Sequence, residues 1–350
     1  MKKLLLSLFA IVAAVLMVPG HATHAEALHY SVSAQIPANQ VDKNVSYFAL
    51  KVTPGTTQDL GVTISNSDTA EHTYRVSVNR AATNTNGVVD YSKRGIKKPS
   101  SLTADVEAMT PSAFTIKVPA KSSKAAVIKL TVPTKPFAGL ALGGVRVAEL
   151  DTTKTTTKSK GLSLNNKFAY VIGLALQEDA TYDNIAPDMT LHSVNAKQIN
   201  YRNYISANLE NTKPNMMRKL KITAKVSKQG SSDPIFSTTK SDMAMAPNSD
   251  FAFPISTKNN PLQPGDYTLD LNAWASGGKY HWHFTKNFTI TAAEANKLNK
   301  TAVELKKTKP NYLLWILIAI GILILLLLLL ILFLLFKRRK KDDDEDENAQ

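Results

Sequence analysis

Lys219-Leu220-Lys221-Ile222-Thr223-Ala224-Lys225-Val226 decides the fold class. Apolar Leu220, Ile222, Ala224 and Val226 occupy every second position, and Lys219, Lys221, Thr223 and Lys225 fill the gaps. A period of two puts the apolar set on one face of an extended chain, whereas a helix would scatter it around the axis. The stretch therefore reads as a strand with one buried and one wetted face, the signature of an antiparallel sheet. The same alternation recurs at Leu60, Val62 and Ile64, at Tyr74, Val76 and Val78, and at Ile128, Leu130 and Val132. Ile205, Ala207 and Leu209 repeat it, as do Leu269 and Leu271.

Turn chemistry separates these runs: Pro54-Gly55, Asn86-Gly87, Pro119, Pro133, Gln229-Gly230, Asp233-Pro234, Pro247-Asn248 and Pro264-Gly265. Many short alternating strands with such spacing predict an all-β fold of two tandem antiparallel Ig-like β-sandwich domains. The predicted division is 28–160 and 161–292. The polar run Asp151 to Lys160 serves as a border or, equally, as an exposed hairpin loop. Phe168 to Leu176 is apolar on both faces, which predicts burial on both, and the sequence does not decide which domain takes it.

The ends set an expected compartment. Lys2-Lys3, an apolar run from Leu4 to Val18 and small residues before Ala25 predict a signal peptide over 1–25. Residues 293–311 read as a stalk, since only Ala292 to Lys307 has helix-forming composition between the two ends. Tyr312 to Phe336 is uncharged and mostly Leu and Ile, which predicts a single C-terminal transmembrane helix, with 337–350 as a cytoplasmic tail. Thr308-Lys309-Pro310-Asn311 lacks the Leu-Pro-x-Thr-Gly of sortase substrates, so a retained single-pass membrane anchor with its ectodomain outside is the expectation.

Composition narrows the chemistry. The 350 residues contain no cysteine, which excludes disulfides, thiolate zinc sites and cysteine nucleophiles. The net charge of +14 invites a nucleic-acid reading. Its lysines, however, scatter over polar strand faces, and the five basic and six acidic tail residues nearly cancel. An exported basic ectodomain is better matched to anionic wall polymers than to nucleic acid.

No base–nucleophile pair or metal signature stands out, so no enzyme activity and no cofactor are expected. Asp105 and Glu107, and Glu178-Asp179, read as solvated carboxylates. His281-Trp282-His283 puts two imidazoles on one face, but zinc sites take three or four ligands, and the simpler reading has Tyr280, Trp282 and Phe284 filling the core. Tyr91 and Trp274 are candidate glycan-stacking residues. A regular strand puts Trp274 outside, and a bulge would turn it inward. Asn84 and Asn86 read as an Asn-Gly turn with its caps or as amide donors to glycan or peptide. Val145 and Val147 are the candidate open edge for a partner's strand, and Gly139 to Gly144 allows a bulge or a close backbone approach.

Taken in order, several segments resemble the WxL-interacting proteins of Gram-positive bacteria. They are Gln40-Val41-Asp42-Lys43-Asn44-Val45-Ser46-Tyr47-Phe48, Val52-Thr53-Pro54-Gly55, Ala82 to Tyr91, Phe137-Ala138-Gly139 and Leu142-Gly143-Gly144. Asn166 to Gly173, Met245 to Ser249 and Pro264-Gly265-Asp266-Tyr267 continue the resemblance through the second half. It implies a peptidoglycan-binding domain, then a domain that binds host components such as matrix proteins, and a partnership with secreted WxL-domain proteins. The expected function is a non-enzymatic surface adaptor. The alternative is an Ig-like assembly chaperone acting by strand complementation.

Overall fold

The computed structural model describes residues 29–150, 168–179, 184–306 and 316–332. The first sandwich begins with β1 (Tyr30–Gln35), β2 (Phe48–Lys51), β3 (Thr57–Asn66) and β4 (His72–Arg80). A small ribbon of β5 (Ala82–Thr83) and β6 (Val89–Asp90) follows. It continues with β7 (Phe114–Val118), β8 (Ser122–Thr131), β9 (Ala141–Glu149) and β10 (Ala169–Gln177). One sheet has the order β1-β3-β8 and the other β2-β10-β9-β4-β7. Their apolar faces meet in a core that includes Leu60, Val62 and Ile64 from one sheet and Tyr74, Val76 and Val145 from the other.

The second sandwich comprises β11 (Met189–Ile199), β12 (Arg202–Asn211), β13 (Met217–Lys228) and β14 (Pro234–Met245). Then come β15 (Ser249–Ser256), β16 (Gly265–Ala275) and β17 (Tyr280–Ile290). Its sheets run β11-β12-β15 and β14-β13-β16-β17. Leu220, Ile222, Ala224 and Val226 of β13 are all fully buried in its core, where each large aliphatic side chain contributes about 1.5–3 kcal/mol.

Several expectations are corrected. The first sandwich is not purely antiparallel, because β10 pairs in parallel with β2. The strand β10 lies beyond the expected border at 160/161, yet it is hydrogen-bonded to β9 and β2 and completes the first sandwich. Val145 and Val147 are not an edge: β9 pairs with β10 on one side and β4 on the other, so its backbone groups are already engaged.

The start of the expected stalk is docked. Helix α1 (Ala292–Thr301), capped by Thr291 Oγ1 accepting from the Glu294 N–H at 3.1 Å, buries Ala295 and packs Leu298 on the second core. Asn299 accepts from the Leu262 N–H at 2.9 Å and from Asn203 Nδ2 at 2.9 Å, and donates to the Leu262 carbonyl at 2.8 Å. Asn299→Ala should lower stability by about 1–2 kcal/mol, because both Leu262 backbone groups lose their partner. An unchanged urea midpoint would show that the docking contributes nothing.

The single C-terminal transmembrane helix and the membrane-anchored placement that depended on it do not stand. Residues 316–332 are helical. Among the described residues no helix is long and apolar enough to cross a membrane. The signal peptide expected at 1–25, the run 151–160, the flanks of the expected span and the tail lie outside the described residues.

Candidate functional site

The Asn-Gly loop between β5 and β6 forms, but its amide is engaged internally. Asn84 Oδ1 accepts from the N–H groups of Asn86 at 2.9 Å and Val88 at 3.2 Å. Gly87 takes the left-handed φ of 73° that the turn demands. Asn86 is left exposed at the tip.

The same loop joins the two sandwiches. The Gly87 carbonyl accepts from the Ala244 N–H at 2.8 Å, and Thr83 Oγ1 accepts from the Ala246 N–H at 3.0 Å while sharing a 2.7 Å hydrogen bond with Ser249 Oγ. Further along the joint, Asn248 Nδ2 donates to the Ser101 carbonyl at 2.8 Å, and Ser101 Oγ donates to buried Glu210 at 2.6 Å. Burial raises the Glu210 carboxyl, but Ser101 and the adjoining His192 outweigh it, so its pKa lies below the usual value. The Leu140 N–H donates to the Pro214 carbonyl at 2.8 Å, with Gly139 packed against Pro214.

On the outer face of the five-stranded sheet, Gly144 of β9 and Gly173 of β10 are register partners. A Cβ on Gly144 would lie 3.0 Å from the Tyr91 ring and 2.7 Å from Val171, and one on Gly173 would lie 3.5 Å from Tyr47. The two tyrosines therefore rest on a floor of paired glycines. Gln40 fixes Tyr47 by donating to its carbonyl at 2.8 Å and accepting from the Ala49 N–H at 3.0 Å. Asn79 fixes Tyr91 by donating to its carbonyl at 2.7 Å. The other side-chain atom of Asn79, Oδ1, is buried and accepts no hydrogen bond among the described residues. Burial raises the Tyr91 phenol, the neighbouring Tyr47 phenol adds to the rise, and the charge of Arg218 from the second sandwich opposes it.

On the second sandwich, Trp274 is in the outward register, opposite to buried Leu271, Ala273 and Ala275, so no bulge turns it inward. His281 stacks on its ring at a centroid distance of 5.1 Å, and Lys221 Nζ lies 5.7 Å from the ring centre. These partners come from the two strands flanking β16, so the indole is held between a cation and an imidazole. His283 reaches Asp270 at 2.8 Å and His281 reaches Asn272 at 3.1 Å, while Tyr280, Trp282 and Phe284 pack on the core. Among the described residues no three His, Asp or Glu side chains are grouped to hold a metal.

Asp105 and Glu107, expected to be solvated, are structural anchors. Asp105 pairs with Arg80 at 3.1 Å and with Lys98 at 2.8 Å, and Glu107 accepts from the N–H groups of Arg80 and Gly95, both at 3.0 Å. Tyr47 is the residue that sequence reasoning passed over. Its signal was two glycines, Gly144 and Gly173, at outward strand positions where a side chain would ordinarily cover the sheet.

Two sandwiches joined by hydrogen bonds, each with an aromatic residue on an outward sheet face, define a two-module β-sandwich protein. Its family follows from the sequence of the modules. The chain belongs to the WxL Interacting Protein family: the peptidoglycan binding domain of that family matches residues 30–149, and the host binding domain matches 159–300. These are families of binding domains rather than of enzymes. The host binding match includes β10, although that strand is built into the first sandwich.

A comparison with curated proteins gives no significant match. Among solved structures, the YadV chaperone is similar at 11% identity, covering 75% of this chain and 100% of its own, with a TM-score of 0.26. The E. coli chaperone DraB is similar at 12% identity, covering 75% and 97%, with a TM-score of 0.27. The class 5 fimbriae chaperone CfaA is similar at 12% identity, covering 68% and 95%, also with a TM-score of 0.27. At these scores the architecture rests on the sheet topology alone.

Proposed function

We propose that the chain is a non-enzymatic cell-surface adaptor, in which the first sandwich contacts peptidoglycan and the second contacts a host component. A WxL-domain protein is the third member of the assembly. The observation that carries this reading is the match of both binding domains of one family to one chain, together with a joint that holds them in fixed orientation. Fixed orientation lets two modest contacts act together, since binding at one face sets the position of the other. The net charge of +14 adds attraction to anionic wall polymers, a component that added salt weakens.

Co-sedimentation of the chain with sacculi stripped of wall polymers, with and without a purified WxL-domain protein, tests the proposal. The chain should pellet at about 0.15 M salt, and the WxL-domain protein should enter the pellet in larger amount when the chain is present. A chain left in the supernatant would refute the wall contact, and a WxL-domain protein unaffected by the chain would refute the adaptor.

A further inference from the structure

We infer that the twin-glycine shelf, formed by Tyr47 and Tyr91 of the first sandwich and completed by Arg218 of the second, is the contact for a carboxylate-bearing amino-sugar glycan. The inference rests on the reading that the first sandwich binds peptidoglycan, and it adds a location, a ligand chemistry and a contribution from the second module.

Space comes first. Gly144 and Gly173 face outward side by side on strands about 4.8 Å apart, and Tyr91 and Tyr47 each lie over one of them. Any side chain at 144 would lift Tyr91, because its Cβ would meet both Tyr91 and Val171 within about 3 Å. Tyr47 remains 42% exposed, an unusually open aromatic surface for a side chain whose backbone is clamped by Gln40. A flat aromatic on a fixed stretch of backbone is suited to the C–H face of a pyranose ring, with little backbone entropy left to lose on binding.

Polarity comes second. The Asn79 amide oxygen, on the strand next to Gly144, is buried and accepts no hydrogen bond among the described residues, and such an acceptor is costly to leave unmet. An acetamido N–H is a donor of the right kind for it. Charge comes third. Arg218 follows Met217, which pairs with Met245 of β14, and Met243 of that strand packs on Gly87 in the loop leading to Tyr91, so the Arg218 charge enters from across the joint. Arg146 lies two residues beyond Gly144 on the outward side of β9, whose core-facing residues are Val145 and Val147. Cations beside an aromatic shelf select a glycan that carries carboxylates over a neutral one.

The test uses the whole chain and two soluble probes, a peptidoglycan fragment with free stem carboxylates and an uncharged N-acetylglucosamine oligomer. Tyr47→Ala should weaken both by about tenfold or more, as an aromatic anchor does. Arg218→Gln should weaken only the acidic fragment, by about fivefold. Lys129→Gln, the same charge change on the other sheet, should alter neither, which separates the shelf from general attraction to a basic protein. If the chain binds and Tyr47→Ala, with an unchanged melting temperature, binds as tightly, the shelf is overturned. If the chain binds sacculi but neither probe, the shelf is also overturned while the wall reading survives. If it binds no sacculi, both fall.

Discussion

Asp105→Ala should cost the first sandwich about 3–5 kcal/mol, because it strands a buried charge. The Arg80 side chain is only 4% exposed, and its guanidinium is held by the Asp105 carboxylate at 3.1 Å and by the Ile96 carbonyl at 2.8 Å. Asp105 also accepts from the Glu107 N–H at 3.1 Å, which positions Glu107 to receive the N–H groups of Arg80 and Gly95. One carboxylate thus ties β4 to the long connection between β6 and β7. Burial pushes the Asp105 carboxyl up, but the Lys98 hydrogen bond, the Arg80 charge and the Glu107 N–H outweigh it and hold its pKa below the usual value. A depressed carboxyl stabilises the fold above the unfolded pKa of about 3.9, and that stability is lost as pH falls through the folded value. Urea unfolding should therefore show the full deficit of Asp105→Asn at pH 7 and a shrinking one below about pH 4. A deficit that stays constant down to pH 2.5 would mean that the carboxylate charge is not what holds Arg80.

The contrast between that pair and the strands shows what a sequence carries. The alternation at Leu220 to Val226 is local, since the strand's own period decides which side chains are buried, and all four are. Counting from Leu269 and Leu271 put Trp274 outward only for a regular strand, and a bulge stayed open until the structure showed β16 to alternate without interruption. Asp105 and Glu107 have the same spacing whether they line a wet edge or clamp a buried arginine. The deciding partner, Arg80, is 25 residues away in the chain. Whether β9 is an edge or a centre likewise depends on β10 arriving on its far side, a pairing that no feature of Val145 to Leu150 encodes. The apolar look of β10 also misled. Its outward positions are largely small, and its outward Val171 is 42% exposed, so apolarity on both faces did not mean burial on both. The Asn86-Gly87 turn was legible as a turn, but not that the carbonyl at its tip receives a backbone N–H from β14.

Gly139→Ala should uncouple the two sandwiches without unfolding either. Gly139 sits at φ 78°, where a Cβ costs about 1–2 kcal/mol on its own. A Cβ there would also collide with the Pro214 carbonyl oxygen and ring, and a backbone carbonyl gives way far less readily than a flexible side chain. Relief requires moving the segment that holds the 2.8 Å hydrogen bond from Leu140 to Pro214, worth about 1 kcal/mol more. The expected loss is about 2–3 kcal/mol, located at the joint. Calorimetry should then resolve two separate transitions, and protease should cut more readily in the connection after β10. Gly230→Ala provides the comparison: Gly230 has a similar φ of 81°, but among the described residues nothing lies within 4 Å of its Cβ position. That variant should lose only the conformational part and leave the sandwiches coupled. Arg218 belongs to the second sandwich, so if its charge selects the acidic fragment, Gly139→Ala should also reduce affinity for that fragment more than for the uncharged oligomer. Equal losses on both probes would show that the second sandwich contributes no charge to the wall contact.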